Sequence, residues 1–120
     1  MFKVIIMIKR KSGMSMEDFI NYYETKHAPL GASKVPNIKR YIRHFIRPYG
    51  NEIYSADKEP SYDVLTELWF DDEADFERGM AYLSEPETAA IIAADEEKLF
   101  DRSSIRFMTM EDHETDFAKQ

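Results

Sequence analysis

Two side chains, His27 and Tyr41, form the pair in this sequence best suited to moving a proton. An imidazole titrates near neutral pH, so His27 can take a proton from a carbon beside a carbonyl. A phenol such as Tyr41 can then donate to the enolate oxygen that develops. Met16, Phe19, Ile20, Tyr23 and His27 recur at helical spacing, which puts Tyr23 and the imidazole on a buried face. The plain alternative is a core histidine bonded to a backbone carbonyl, with Tyr41 an ordinary strand aromatic. Trp69 offers a flat apolar wall for an aromatic ligand. Asp63, Leu65 and Glu67 share its strand face. Either carboxylate there would orient His27 or bind a polar group, or pair in the ordinary way with Arg43 or a lysine. His44 follows Tyr41 by three residues and so points to the opposite face, where Ile42 and Ile46 suggest packing under helices. Asp95 shares a helical face with Ile91, Ile92 and Leu99 and reads as a structural acceptor or a cavity acid.

Other chemistries lack their residues. The chain has no cysteine, which removes disulfides, thiolate metal sites and a cysteine nucleophile. His27, His44 and His113 have no ligand spacing, so no metal is expected. No serine sits in a nucleophile elbow, and no glycine-rich phosphate loop is present.

Positioning such residues takes a sheet and helices, and the pattern supplies both. A first strand over Phe2–Ile8 ends at the turn around Ser12-Gly13. Ser15 is a fitting N-cap for a helix from Met16 to about Lys26, with Asp18 near the capping-box position and Pro29 as the stop. A loop from Pro29 through Pro36 leads to a second strand over Ile38–Arg47 and, after a long polar connection, a third over Tyr62–Phe70. Asp71 and Asp72 can cap a helix reaching about Leu83. Ser84 with Glu87, and Pro86 between them, start another that runs to about Phe100. A fourth strand over Ile105–Thr109 closes the domain, residues 1–113, and residues 114–120 form an acidic tail. The order β-α-β-β-α-(α)-β is the ferredoxin-like α+β arrangement, a four-stranded antiparallel sheet with its helices on one face.

Length and composition agree with one domain. The 120 residues are 43% hydrophobic and 32% charged, which suits a single globular core. Residues 1–50 carry ten Lys/Arg against three Asp/Glu, and the remainder six against twenty, for the net −7. That acidic balance argues against nucleic acid as a partner. Lys39, Arg40, Arg43 and Arg47 make the one basic patch, either a solvated strand edge or an anchor for an anionic group. No apolar run is long enough for a membrane span, and the apolar start lacks a cleavage site, so a cytoplasmic protein is expected.

The strands carry one more inference. The first has Phe2, Val4, Ile6 and Ile8 on one side and Ile5 and Met7 on the other; the third divides Val64, Leu68 and Phe70 from Leu65 and Trp69. Helices cover only one face of such a sheet, so both faces are buried only if a second copy packs on the other. A homodimer joined sheet to sheet is expected, with a cavity for a small hydrophobic molecule in or beside each sheet.

In this order and spacing the chain resembles the EthD-like family of dimeric α/β barrels, over residues 2 to about 113. The residues that carry the resemblance are Ile8-Lys9-Arg10-Lys11-Ser12-Gly13, Phe19 to Leu30 with His27-Ala28-Pro29, Tyr41-Ile42-Arg43-His44, Tyr62-Asp63, Glu67-Leu68-Trp69-Phe70 and Asp95 to Asp101. The resemblance implies a ferredoxin-like dimer without metal or organic cofactor. It brings a link to ether degradation and related barrels that act as muconolactone isomerases, polyketide cyclases or decarboxylases. Methylmuconolactone isomerases use a histidine and a tyrosine at about the positions of His27 and Tyr41, with a cysteine where this chain has Leu68. Some related barrels hold haem through a histidine, which a Soret band would reveal. The resulting expectation is a cofactor-independent lyase or isomerase acting on a small ketone, lactone or polyketide-like molecule. A non-catalytic ligand-binding or accessory protein of an oxygenase is the alternative, and a protein whose cavity is filled by its own side chains is a third.

Overall fold

The structure is a computed structural model and describes residues 1–56 and 59–119, with the side chain of Lys119 excepted. Asp57 and Lys58, in the long connection, and Gln120, in the expected tail, lie outside the described residues. Strand β1 spans Phe2–Arg10, β2 Arg40–Phe45, β3 Val64–Phe70 and β4 Phe100–Thr109. They form one antiparallel sheet in the order β2-β3-β1-β4, the ferredoxin-like order with β1 and β3 in the centre. Helix α1 covers Met16–Tyr22, α2 Ala28–Lys34, α3 Glu73–Ser84 and α4 Pro86–Glu96. Among the described residues, no helix is long and apolar enough to cross a membrane.

The helix starts follow from local chemistry. Ser15 caps α1 by accepting from the Asp18 amide, and Asp72 caps α3 by accepting from the Asp75 amide. Pro29, in contrast, does not stop the first helix. A π-helical turn over Tyr23–His27 joins α1 to α2, and the Ala28 amide reaches back five residues to the Tyr23 carbonyl. Pro29 then falls in the first turn of α2, where its missing N–H costs little. The expected loop from Pro29 is therefore helix as far as Lys34. Ser84 likewise does not cap α4, because its hydroxyl donates to the Met80 carbonyl one turn back. Helix α4 ends at Glu96, and Phe100 opens β4 instead of closing the helix.

Strand parity decides what faces the helices. Val64, Thr66, Leu68 and Phe70 of β3 are all buried beneath them, against Val4 and Ile8 of β1. Phe19, Tyr23, Leu99 and Phe100 complete this core, each worth about 1.5–3 kcal/mol of apolar transfer or more. In β2, register with β3 puts Tyr41, Arg43 and Phe45 on the helix side. Ile42 and His44 therefore face away from the helices, correcting the expectation that this set packs beneath them. Ile5, Met7, Leu65, Glu67 and Trp69 share that outer face, where Met108 is 42% exposed.

Candidate active site

A cavity of about 90 Å3 lies between the helices and the sheet. Its floor is made of buried residues, among them Ile8, Tyr23, His27, Val35, Leu68 and Phe100. Tyr41 reaches in from β2, and Gly31, Leu83, Ile92, Glu96 and Phe107 surround the more accessible part. The π-helical turn sets His27 here, its ring edge-on to Phe100 at 5.0 Å and to Tyr23 at 5.4 Å.

His27 is tied to a carboxylate. Its Nδ1 lies 2.8 Å from Asp95 Oδ2, and the Tyr22 hydroxyl donates to Asp95 Oδ1 at 2.5 Å. Burial works to raise the Asp95 pKa, but the hydrogen bonds from Tyr22 and His27 outweigh it and hold the carboxyl below its ordinary value. The same bond, with burial and the Asp95 charge, pushes the Tyr22 phenol up to about 12. An ionised carboxylate only accepts, so Nδ1 must carry a proton, and in the neutral ring Nε2 keeps its lone pair. Nothing among the described residues bonds to Nε2, the nitrogen left for a ligand in the cavity.

Tyr41 supplies the second polar group. Its hydroxyl donates to the Tyr23 hydroxyl at 3.4 Å, and Tyr23 in turn pairs with Thr66 Oγ1 at 2.8 Å. Burial, then the neighbouring Tyr23, raises the Tyr41 pKa, so the phenol stays protonated across the physiological range. A 3.4 Å bond is weak, and a carbonyl oxygen of a ligand would compete for that proton on favourable terms. The cavity thus presents an oriented base and a hydroxyl donor within apolar walls, the parts needed for proton transfer beside a carbonyl.

The remaining sequence candidates sit elsewhere. Trp69 is on the outer face, between the Lys3 ammonium at 4.3 Å and the Arg40 guanidinium at 4.5 Å from its ring centre. Its indole donates to Glu67, which holds His44 Nε2 at 2.5 Å. These three lie across the sheet from His27 and do not line its cavity, which corrects the expectation of Trp69 as its wall. Asp63 is 2% exposed just before β3, where it accepts from the Arg10 amide and lies 3.7 Å from Lys9 Nζ. Arg43 stacks over Tyr41 at 4.6 Å while both its Nε and Nη2 hold the Glu24 carboxylate at 2.8 Å. Neither Asp63 nor Arg43 reaches the cavity as a lining residue. Among the described residues, no group of three or more His, Cys, Asp or Glu is placed to hold a metal. Tyr22 went unnoticed in the sequence because it lies off the apolar stripe. Its five-residue separation from His27 becomes a signal only once a π turn, with bonds from i to i+5, stacks the two.

A ferredoxin-like α+β domain, with a helix-borne histidine beneath its helices, is the class of protein that fold and site define. The chain belongs to the EthD family: the model of the EthD domain matches residues 11–103. Solved structures agree on the fold. An ethyl tert-butyl ether D (EthD) family protein from Bacillus halodurans superposes with a TM-score of 0.60 at 20% identity, over 94% of this chain and 100% of that one. An EthD-like protein from Ralstonia eutropha gives 0.60 at 16% identity, over 90% and 89%. A dimeric ferredoxin-like protein of unknown function from Thermobifida fusca gives 0.55 at 17%, over 91% and 88%. Comparison with curated proteins gives no match.

Proposed function

We propose that this EthD protein is a cofactor-independent acid/base enzyme, a lyase or isomerase for a small hydrophobic carbonyl compound such as a ketone or lactone. The observation that carries this reading is the Asp95–His27 bond, which leaves Nε2 as a base toward an apolar cavity that also holds Tyr41. His27 Nε2 takes a proton from the carbon beside the carbonyl, and Asp95 balances the imidazolium that forms. Tyr41 donates to the enolate oxygen, its proton leaving the long bond to Tyr23. Return of the proton at another carbon is isomerisation; expulsion of a group at the β carbon is a lyase step.

The working unit in this reading is a homodimer. Ile5, Met7, Ile42 and Leu65 form an apolar band on the outer sheet face that the helices of the same chain leave uncovered. A second copy packed there buries both bands, consistent with the dimeric relative from Thermobifida fusca. The test of the chemistry is a panel of small ketones and lactones in deuterated water, followed by NMR for deuterium at the carbon beside the carbonyl. The wild type accelerates exchange, His27→Phe abolishes the acceleration, and Tyr41→Phe lowers it by about 10²-fold or more. Full activity in both variants refutes the mechanism. Binding without any exchange leaves a ligand-binding module in its place.

A further inference from the structure

The cavity walls carry information about charge that the acid/base reading does not use. Among the described residues no lysine or arginine lines them, and the polar members are His27, Tyr23, Tyr41 and Glu96. The cations close by are already engaged. Arg43 holds Glu24 through two 2.8 Å bonds, and Arg102 Nε lies 3.3 Å from Glu96 Oε1. Tyr23 is committed to Thr66, and the His27 proton is committed to Asp95. With the His27 ring neutral, a carboxylate entering this space finds one available donor among the described residues, the Tyr41 hydroxyl. It also meets the Nε2 lone pair, with Asp95 behind the ring and Glu96 among the lining residues. Stripping a carboxylate of water costs several kcal/mol unless a cation or several N–H groups replace the lost hydration. A ketone oxygen needs a single donor, and the cavity has one.

We propose that this cavity selects uncharged carbonyl compounds and turns carboxylates away, because its lining offers an anion one hydroxyl donor and no free cation among the described residues. The carbonyl part rests on the proposed acid/base function; the charge preference rests on the lining alone. Volume narrows the class further. About 90 Å3 is less than the roughly 150 Å3 of an apolar cavity that accepts benzene. The space holds the reacting end of a compact molecule, the rest of which extends toward the more exposed Leu83, Ile92 and Phe107.

The probes are 2-pentanone and butanoate, which have the same chain and differ by a methyl group against an anionic oxygen. Each is titrated, above the range where the His27 ring is protonated, into the full-length protein, with the methyl signals of the cavity isoleucines Ile6, Ile8, Ile38, Ile92 and Ile105 as the readout. The ketone moves these signals with an affinity about tenfold or more above that of butanoate, a gap of roughly 1.4 kcal/mol. Equal affinities in the wild type, tighter butanoate binding, or no shift with either probe overturns the proposal. Ketone-selective binding without deuterium exchange defeats the acid/base function and leaves the charge selection standing.

Discussion

Replacing Asp95 with asparagine changes one atom of the dyad and none of its size, yet it reverses the hydrogen bonding. Asparagine Oδ1 still accepts from Tyr22, so its NH2 faces His27 Nδ1 and donates to it. The ring must then carry its proton on Nε2, and the base that faced the cavity is lost. With general-base catalysis contributing about 10²–10⁴-fold, the deuterium-exchange rate falls by that factor. Stability falls as well. The His27 and Asp95 side chains are only 9% and 13% exposed, so little solvent screening weakens their bond. Charge-assisted hydrogen bonds contribute about 1.5–3 kcal/mol and neutral ones about 0.5–1.5, so two such bonds turned neutral cost about 2 kcal/mol. In a domain of this size that lowers Tm by about 6–10 °C. Exchange kinetics by NMR and unfolding in urea measure the two effects on one sample. An Asp95→Asn protein with wild-type exchange rate and wild-type stability refutes the reasoning. A loss of stability alone leaves the dyad structural.

Three further expectations come from the same contacts. Tyr22 holds its proton to about pH 12 in the folded protein against 10 ordinarily, so its contribution to stability is full below pH 10 and lost between 10 and 12. Tyr22→Phe removes that alkaline slope and the late step in the tyrosinate absorbance titration; an unchanged titration contradicts the bond. Gly31→Ala places a methyl group 3.8 Å from the Tyr41 hydroxyl, an ordinary contact. It stabilises α2 by about 0.5–1 kcal/mol through helix propensity while weakening ketone binding, and thermal unfolding with the NMR titration checks both. Leu65 pairs with Met7 on one side and His44 on the other at the middle of the outer face. Leu65→Lys puts two uncompensated charges into the proposed dimer interface and raises its dissociation constant by about a hundredfold or more, measured by light scattering. A wild-type monomer at all concentrations overturns the interface.

The fold was legible because its signals are local. The apolar runs of β1 and β3, rich in β-branched and aromatic residues, and the capping residues Ser15 and Asp72 each name an element without help from distant contacts. The site was less so, for two physical reasons. Strand β3 is apolar at Val64, Leu65, Leu68, Trp69 and Phe70, so its composition hides which parity faces the helices. Thr66, buried against Tyr23, assigns the even positions inward and carries Trp69 and Glu67 to the outer face. The second reason is the π turn. Sequence periodicity assumes a constant helical step, and one wide turn both absorbs Pro29 and brings Tyr22 to the same carboxylate as His27. Asp95 was visible as a carboxylate on an apolar helical face, but its partner across the fold was not.

In the proposed mechanism Asp95 fixes the neutral His27 ring with its proton on Nδ1 and its lone pair at Nε2, facing a cavity able to take a carbonyl compound. The most direct test is the nitrogen-15 NMR spectrum of His27 in the wild-type protein above the range where the ring is protonated, assigned by comparison with His27→Phe. The expected spectrum shows a protonated Nδ1, a bare Nε2 whose signal moves when 2-pentanone is added, and a switch of tautomer in Asp95→Asn. A wild-type ring with its proton on Nε2 would contradict it.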